Sequence, residues 1–158
     1  MRYALDNTMA GTQQNLSSSY KTMLSLTAAT GATTLRRSQI FEVAAGADTA
    51  PNATDCPITG KIDRQTTVGT ASAATPAPLD SGDAAALMTA NANATIEPTV
   101  TSNTILLPWS VNQRAAYLWQ AAPGAELITP ATNTAGLGLR CKSPNYASTM
   151  FAGVKFLE

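Results

Sequence analysis

Apolar residues in this chain recur mostly with a period of two, the pattern of strands that bury one face. Leu24, Leu26 and Ala28 alternate with Met23, Ser25 and Thr27, and Ile58, Gly60 and Ile62 alternate with Thr59, Lys61 and Asp63. Leu137, Leu139 and Cys141 oppose Gly138, Arg140 and Lys142, while Met150, Ala152, Val154 and Phe156 oppose Thr149, Phe151, Gly153 and Lys155. A strand over 35–45, entered after a Thr30-Gly31 break, puts Phe41 and Val43 on one side and Arg36, Ser38 and Glu42 on the other. Ile40 falls on its polar side, so that face is also expected to meet protein.

Residues 111–121 carry the same alternation, with Val111, Gln113, Ala115, Tyr117 and Trp119 on one face and Tyr117 and Trp119 expected in the core. Pro123 presets φ for a type II turn and Gly124 supplies its positive φ, so the pattern predicts a hairpin returning through Glu126, Leu127 and Ile128. Pro98 cannot donate to a ladder, which places a strand around Ile96 and Val100 at an edge or bulge, and Ile105-Leu106-Leu107 is a short apolar segment stopped by Pro108. Residues 46–57 hold Pro51, Asn52, Asp55 and Pro57 and read as a surface loop, and 69–78 as an extended connection.

Two segments break the pattern. Asp80 or Ser81 as N-cap, Asp83 in the first turn and the run Ala84 to Met88 predict one short helix over 81–90. Residues 1–20 are polar and aperiodic, and read as an N-terminal arm preceding a single domain over 21–158. Such an arm is either a disordered terminus or a segment ordered against a neighbouring subunit through Tyr3 and Leu5. The predicted architecture is all-β: a two-layer antiparallel β-sandwich, jelly-roll-like, with one short helix and the extended arm.

Composition narrows the function classes. Charged residues are only 13% of the chain and the net charge is zero, which argues against a basic nucleic-acid binder. No apolar run approaches the roughly 18 to 20 residues of a membrane span, and the first 20 residues lack a signal peptide's apolar stretch, so synthesis and assembly in a cytoplasm are expected. In that reducing setting Cys56 and Cys141 are expected as free thiols, Cys141 in the core.

Histidine is absent altogether, which removes the commonest general base and the commonest metal ligand. No spacing nominates a catalytic carboxylate pair, and Asp80 and Asp83 read as helix-terminal charges. Gly136-Leu137-Gly138 lacks the third glycine and the lysine-serine pair of a phosphate loop. The expectation is a non-enzymatic protein without cofactor or metal.

Several short motifs carry a resemblance. Asn112-Gln113-Arg114-Ala115, the run from Trp119 to Leu127 containing Ala122-Pro123-Gly124, Pro130-Ala131-Thr132, and Ser143-Pro144 followed by Tyr146 resemble a recurrent small virion protein of tailed bacteriophages. Asp63-Arg64-Gln65-Thr66, Gly69-Thr70, Leu79-Asp80 with Asp83-Ala84-Ala85, and Thr95-Ile96-Glu97-Pro98 extend the likeness over most of 35–156. A basic residue is common in that group just before the tryptophan, where this chain has Leu118.

The resemblance implies a capsid decoration, or cement, protein bound to the outside of a shell of major capsid protein, bridging adjacent capsomers. Local three-fold junctions would favour a homotrimer, with neither nucleic acid nor membrane as partner. Candidate interface residues are Arg2, Tyr3 and Leu5 in the arm, Trp109 and Tyr146. Trp109 sits outside any clean alternation and suits core or contact equally. The rival readings are a carbohydrate- or receptor-binding module of a phage head or tail, using Trp109 and Tyr146 in a loop-lined groove, and a tail or connector component.

Overall fold

Alternation produces strands wherever it was strongest, and the computed structural model assembles them into two antiparallel sheets. It describes residues 1–28, 36–132 and 134–158; the Thr30-Gly31 break and Leu35 lie outside the described residues. The first sheet contains β1 (Arg2–Asp6), β3 (Gln39–Ala47), β6 (Ala77–Pro78), β9 (Tyr117–Gln120), β10 (Leu127–Ile128) and β12 (Met150–Leu157). Its order is β10-β3-β12-β1-β6, with β9 also on β3. The second contains β2 (Lys21–Thr27), β4 (Pro57–Gln65), β5 (Thr70–Ala74), β7 (Thr89–Ile96), β8 (Val100–Asn112) and β11 (Gly136–Lys142), in the order β5-β7-β2-β11-β4-β8.

One hydrophobic cluster joins the inner faces. Leu24, Leu26, Ile58, Ile62, Leu137, Leu139 and Cys141 come from the second sheet, and Tyr3, Leu5, Val43, Met150, Ala152 and Phe156 from the first. Tyr117 and Trp119 are partly buried against it. The register of β3 on β12 slips between Lys155 and Phe156, so that Lys155 faces Glu42 while Phe156 faces Ile40. Phe41 is the extra residue of this bulge. It turns Ile40 back into the core and Phe41 outward, which resolves why Ile40 fell on the polar face.

Three expectations are corrected. Among the described residues there is no helix, and the segment over 81–90 is a turn followed by irregular chain. Asp80 does cap, but it caps a turn: its Oδ1 accepts from the Gly82 amide at 2.9 Å and its carbonyl from the Asp83 amide at 3.0 Å. Further along, the amides of Leu87 and Met88 donate to the Glu158 carboxylate at 2.9 and 3.3 Å, and Thr89 already begins β7. Ten residues without a packed apolar stripe cannot repay helix nucleation against those alternatives.

The hairpin is the second correction. Pro123 and Gly124 do occupy the centre of a turn, closed by the Ala125 amide on the Ala122 carbonyl at 2.9 Å with Gly124 at φ 84°. The chain nevertheless does not reverse. Both β9 and β10 run antiparallel to β3, β9 against Glu42 to Ala45 and β10 against Gln39 and Ile40. The turn is a loop thrown out from one continuous edge, and the free side of β3 offers more ladder bonds than a two-stranded ribbon standing alone.

Third, residues 2–6 are no arm. They form β1 between β12 and β6, in register with Leu157 to Gly153. Asn7 extends this anchorage, donating to the Met150 carbonyl and accepting from the Ala152 amide, each at 2.9 Å. Two buried side chains at spacing two, Tyr3 and Leu5, suffice to seat a strand when its neighbour supplies the ladder.

Candidate functional site

Four of the five predicted interface residues face inward. Tyr3 and Leu5 are each 1% exposed; Tyr3 stacks on Phe156 with ring centroids 5.5 Å apart and donates its hydroxyl to the Ala84 carbonyl at 2.9 Å. Trp109, 7% exposed, stacks on Tyr117 at 4.7 Å with planes 11° apart. Its indole covers Gly60, where any side chain would overlap the ring. Tyr146 is fully buried. Burial spends these aromatic surfaces inside the fold, so Trp109 and Tyr146 line no open groove. Arg2 alone is exposed, its guanidinium 6.0 Å from the Phe41 ring centroid.

Two of the motifs singled out in the sequence, Asn112-Gln113-Arg114 and Ser143 with Tyr146, converge on one loop. Residues 48–55 are all exposed, yet buried polar side chains hold their backbone. Gln113 Oε1 accepts from the Asn52 amide at 3.1 Å, and its Nε2 donates to the carbonyls of Asn52 and Thr54 at 3.2 and 2.9 Å. Arg114 Nη2 reaches the Asn52 carbonyl at 2.8 Å, and its Nε pairs with Asp55 at 2.7 Å. That hydrogen bond holds the Asp55 carboxyl below the usual carboxylate range. Asn112 shapes the preceding turn by accepting from the amides of Arg114 and Ala115, each at 2.9 Å.

From the other side, Ser143 Oγ donates to the Pro57 carbonyl at 2.7 Å and accepts from the Tyr146 amide at 3.2 Å. The Tyr146 hydroxyl meets Thr49 Oγ1 at 2.6 Å, and Asn52 Nδ2 donates to the Asn145 carbonyl at 2.6 Å. Asp48 closes the loop's first end by accepting from Thr149 Oγ1 and Gln13 Nε2, both at 2.7 Å. Such a loop is exposed without being loose, so it meets a partner with its ordering entropy already spent.

Two sheet faces flank this end. On the outer face of the first sheet, Leu118, Ala44, Gly153 and Asp6 form one row across β9, β3, β12 and β1, and Gln120, Glu42, Lys155 and Ala4 form the next. Small residues in the middle leave a shallow groove of about 190 Å³ beside Phe151. Leu118, at one end of the first row, is 63% exposed. Lys155 and Glu42 pair at 2.7 Å across it.

The outer face of the second sheet is charged. Asp63 accepts from Lys61 Nζ at 2.6 Å and Arg140 Nη1 at 3.4 Å, while Arg140 Nη2 lies 3.6 Å from Glu97. Glu97 also accepts from Thr22 Oγ1 at 2.5 Å. Over this network lies the ring of Tyr20, with Lys61 Nζ, Lys142 Nζ and the Arg140 guanidinium carbon at 4.4, 4.8 and 5.7 Å from its centroid. Gly138 keeps a lane open across β11, through which Gln65 on β4 reaches Ser25 on β2. Gly136 answers a different need, since a Cβ there would run into the Leu26 carbonyl of β2. Charges at spacing two on polar strand faces, Lys61 with Asp63 and Arg140 with Lys142, were the available signal for this cluster. Glu97 and Tyr20, both outside the strands, gave none.

Among the described residues, no three side chains of the usual metal-ligating types come together. The arrangement presents surfaces for contact: a clasped loop, a shallowly grooved face carrying Leu118 and the Lys155–Glu42 pair, and a charged face. No family model, curated protein or solved structure matches the chain.

Proposed function

We propose that this chain is a structural protein of tailed-phage virions, a decoration protein that cements the outer surface of the capsid. It binds the major capsid protein across adjacent capsomers and assembles as a homotrimer at local three-fold junctions. Its two sheets act as a rigid β-sandwich body, jelly-roll-like in connection. The observation that carries this reading is the clasped loop. Gln113, Arg114 and Tyr146, three of the residues that carry the resemblance, hydrogen-bond directly to the exposed segment 48–55, and Ser143 anchors its flank at Pro57.

The physical task suits these parts. A cement protein resists shell expansion only if contacts on two capsomers must break together, which requires a stiff body and preformed contact loops. Single interfaces of ordinary size, about 1,600 Å², become tenacious when repeated by symmetry through avidity. The test is to add the purified protein to expanded capsids that lack it and measure both bound copies and the temperature of DNA release. Hundreds of copies per particle and a raised release temperature are the expected result. Absence of binding, or one ring of copies per virion, overturns the reading. Solution mass measurement showing only monomers at assembly concentrations would remove the trimer.

A further inference from the structure

We propose that the outer face of the second sheet, centred on Tyr20 and Lys142, docks an acidic segment of a protein partner. Charge partition within the chain is the first ground. Strands of the second sheet carry five of the ten basic residues, Lys21, Lys61, Arg64, Arg140 and Lys142, against one acidic residue, Asp63. Strands of the first sheet carry two of each sign, and the connections hold three basic residues against seven acidic ones. The strands of the second sheet are thus net positive; Lys21 and Arg64 sit in register with Cys141 and Leu137 of the inner face, while Lys61, Arg140 and Lys142 lie on the outer face with Asp63.

The second ground is local geometry. Three cations crowd one tyrosine ring, at 4.4 to 5.7 Å from its centroid. Asp63 and Glu97 answer two of them, Lys61 and Arg140. Lys142 pairs with no carboxylate among the described residues; its ammonium lies 4.8 Å from the Tyr20 ring centroid, and it stands partly exposed beside Thr59 on β4. Like charges held together on a rigid sheet repel one another, and an incoming carboxylate relieves that repulsion without moving the protein. Ser110 and Pro108, exposed on neighbouring β8 beside Thr59 and Lys61, continue the face.

A protein carboxylate fits better than a nucleic-acid backbone. Phosphates want several free cations along a track, and only one is free in this cluster. Stacking a base would need an open ring face, and cations crowd the Tyr20 ring. This assignment depends on the virion reading only for the partner's identity, which would then be an acidic stretch of the capsid protein.

The experiment uses the intact protein at low ionic strength, titrated with an oligoglutamate peptide and separately with a single-stranded oligonucleotide of matching charge. Backbone amide shifts around Tyr20 and Lys142 report binding. The wild type is expected to bind the peptide, with Lys142→Glu about tenfold weaker or worse and Lys142→Gln between them. Binding should fade at high salt, as the screening length falls from ~10 Å at 0.1 M to ~3 Å at 1 M. Arg2→Glu, an equal change of charge on the other sheet, should bind as the wild type does.

Equal binding by Lys142→Glu, or preference for the oligonucleotide, overturns the proposal. Salt-sensitive self-association of the wild type that Lys142→Glu abolishes would assign the face to a second copy, and overturns it too. Capsids enter none of these titrations, so failure to decorate shells would defeat the virion reading and leave this result standing.

Discussion

Gln113 and Asn52 grip each other through both halves of one amide: Gln113 Oε1 accepts from the Asn52 amide at 3.1 Å while Nε2 donates back to the Asn52 carbonyl at 3.2 Å. A buried side chain thereby satisfies the backbone of an exposed loop. Gln113→Ala removes both contacts and the bond to Thr54, leaving polar groups short of partners. A loss of about 2–3 kcal/mol in unfolding free energy is expected. Hydrogen exchange at 50–55 should accelerate more than exchange in β11, because the loop loosens before the sheet does. Uniform acceleration everywhere would show that Gln113 supports the whole fold and not the loop in particular.

Gly60 is needed because Trp109 lies on it. The two residues pair across β4 and β8, and a Cβ at position 60 would run into the indole. Since β4 is an interior strand, its backbone cannot retreat. Gly60→Ala should therefore push Trp109 off its stack on Tyr117, destabilise the protein by about 1–3 kcal/mol, and shift tryptophan emission to the red. A variant with unchanged emission and unchanged denaturation midpoint would mean the ring repacks freely.

How far the sequence carries depends on whether the deciding contact is local. Alternation in Leu137 to Cys141 and Met150 to Phe156 names strands because one face is dry and the other wet, and nothing distant alters that. Ile40 shows the limit: its side is set by a bulge opposite Lys155 and Phe156, residues more than a hundred positions away. Pro123 and Gly124 declare the turn they make, but its direction depends on whether β3 has a free edge. Tyr3 and Leu5 were legible as apolar anchors; that the anchorage is β12 of the same chain is a fact of topology. The motif at Asn112 to Arg114 read as a signature without a purpose, since its purpose, holding 48–55, appears only once the loop and the strand end are side by side.

Acid should weaken the first sheet through Glu42. Hydrogen bonds from Lys155 and then Gln120 hold its carboxyl below the ordinary value of 4.5. The folded state thus binds the proton less readily than the unfolded chain does. Its contribution is complete above about pH 4.5 and drains away as pH falls through the depressed folded value. Glu42→Gln removes the titration, so its stability should fall less steeply than the wild type's in that acid window while starting lower at neutral pH. Parallel acid limbs for the two proteins would place the acid sensitivity elsewhere.

Both cysteines are free and buried, and their chemistry should report global unfolding. Cys141 is wholly enclosed on the inner face of β11, where burial pushes its thiol far above the ordinary range. Cys56 is buried with its Sγ 3.3 Å from Gln113 Oε1, at the root of the clasped loop. Since the thiolate is the reactive species and access is closed, an aromatic disulfide reagent at mildly alkaline pH should label neither in the native protein. In denaturant both should react. Gln113→Ala separates the two sites: Cys56 loses its cover when the loop opens, whereas Cys141 stays sealed between the sheets. The expected outcome is fast labelling of Cys56 alone in that variant, read by mass after proteolysis. Simultaneous labelling of both would mean the loop and the core open as one unit.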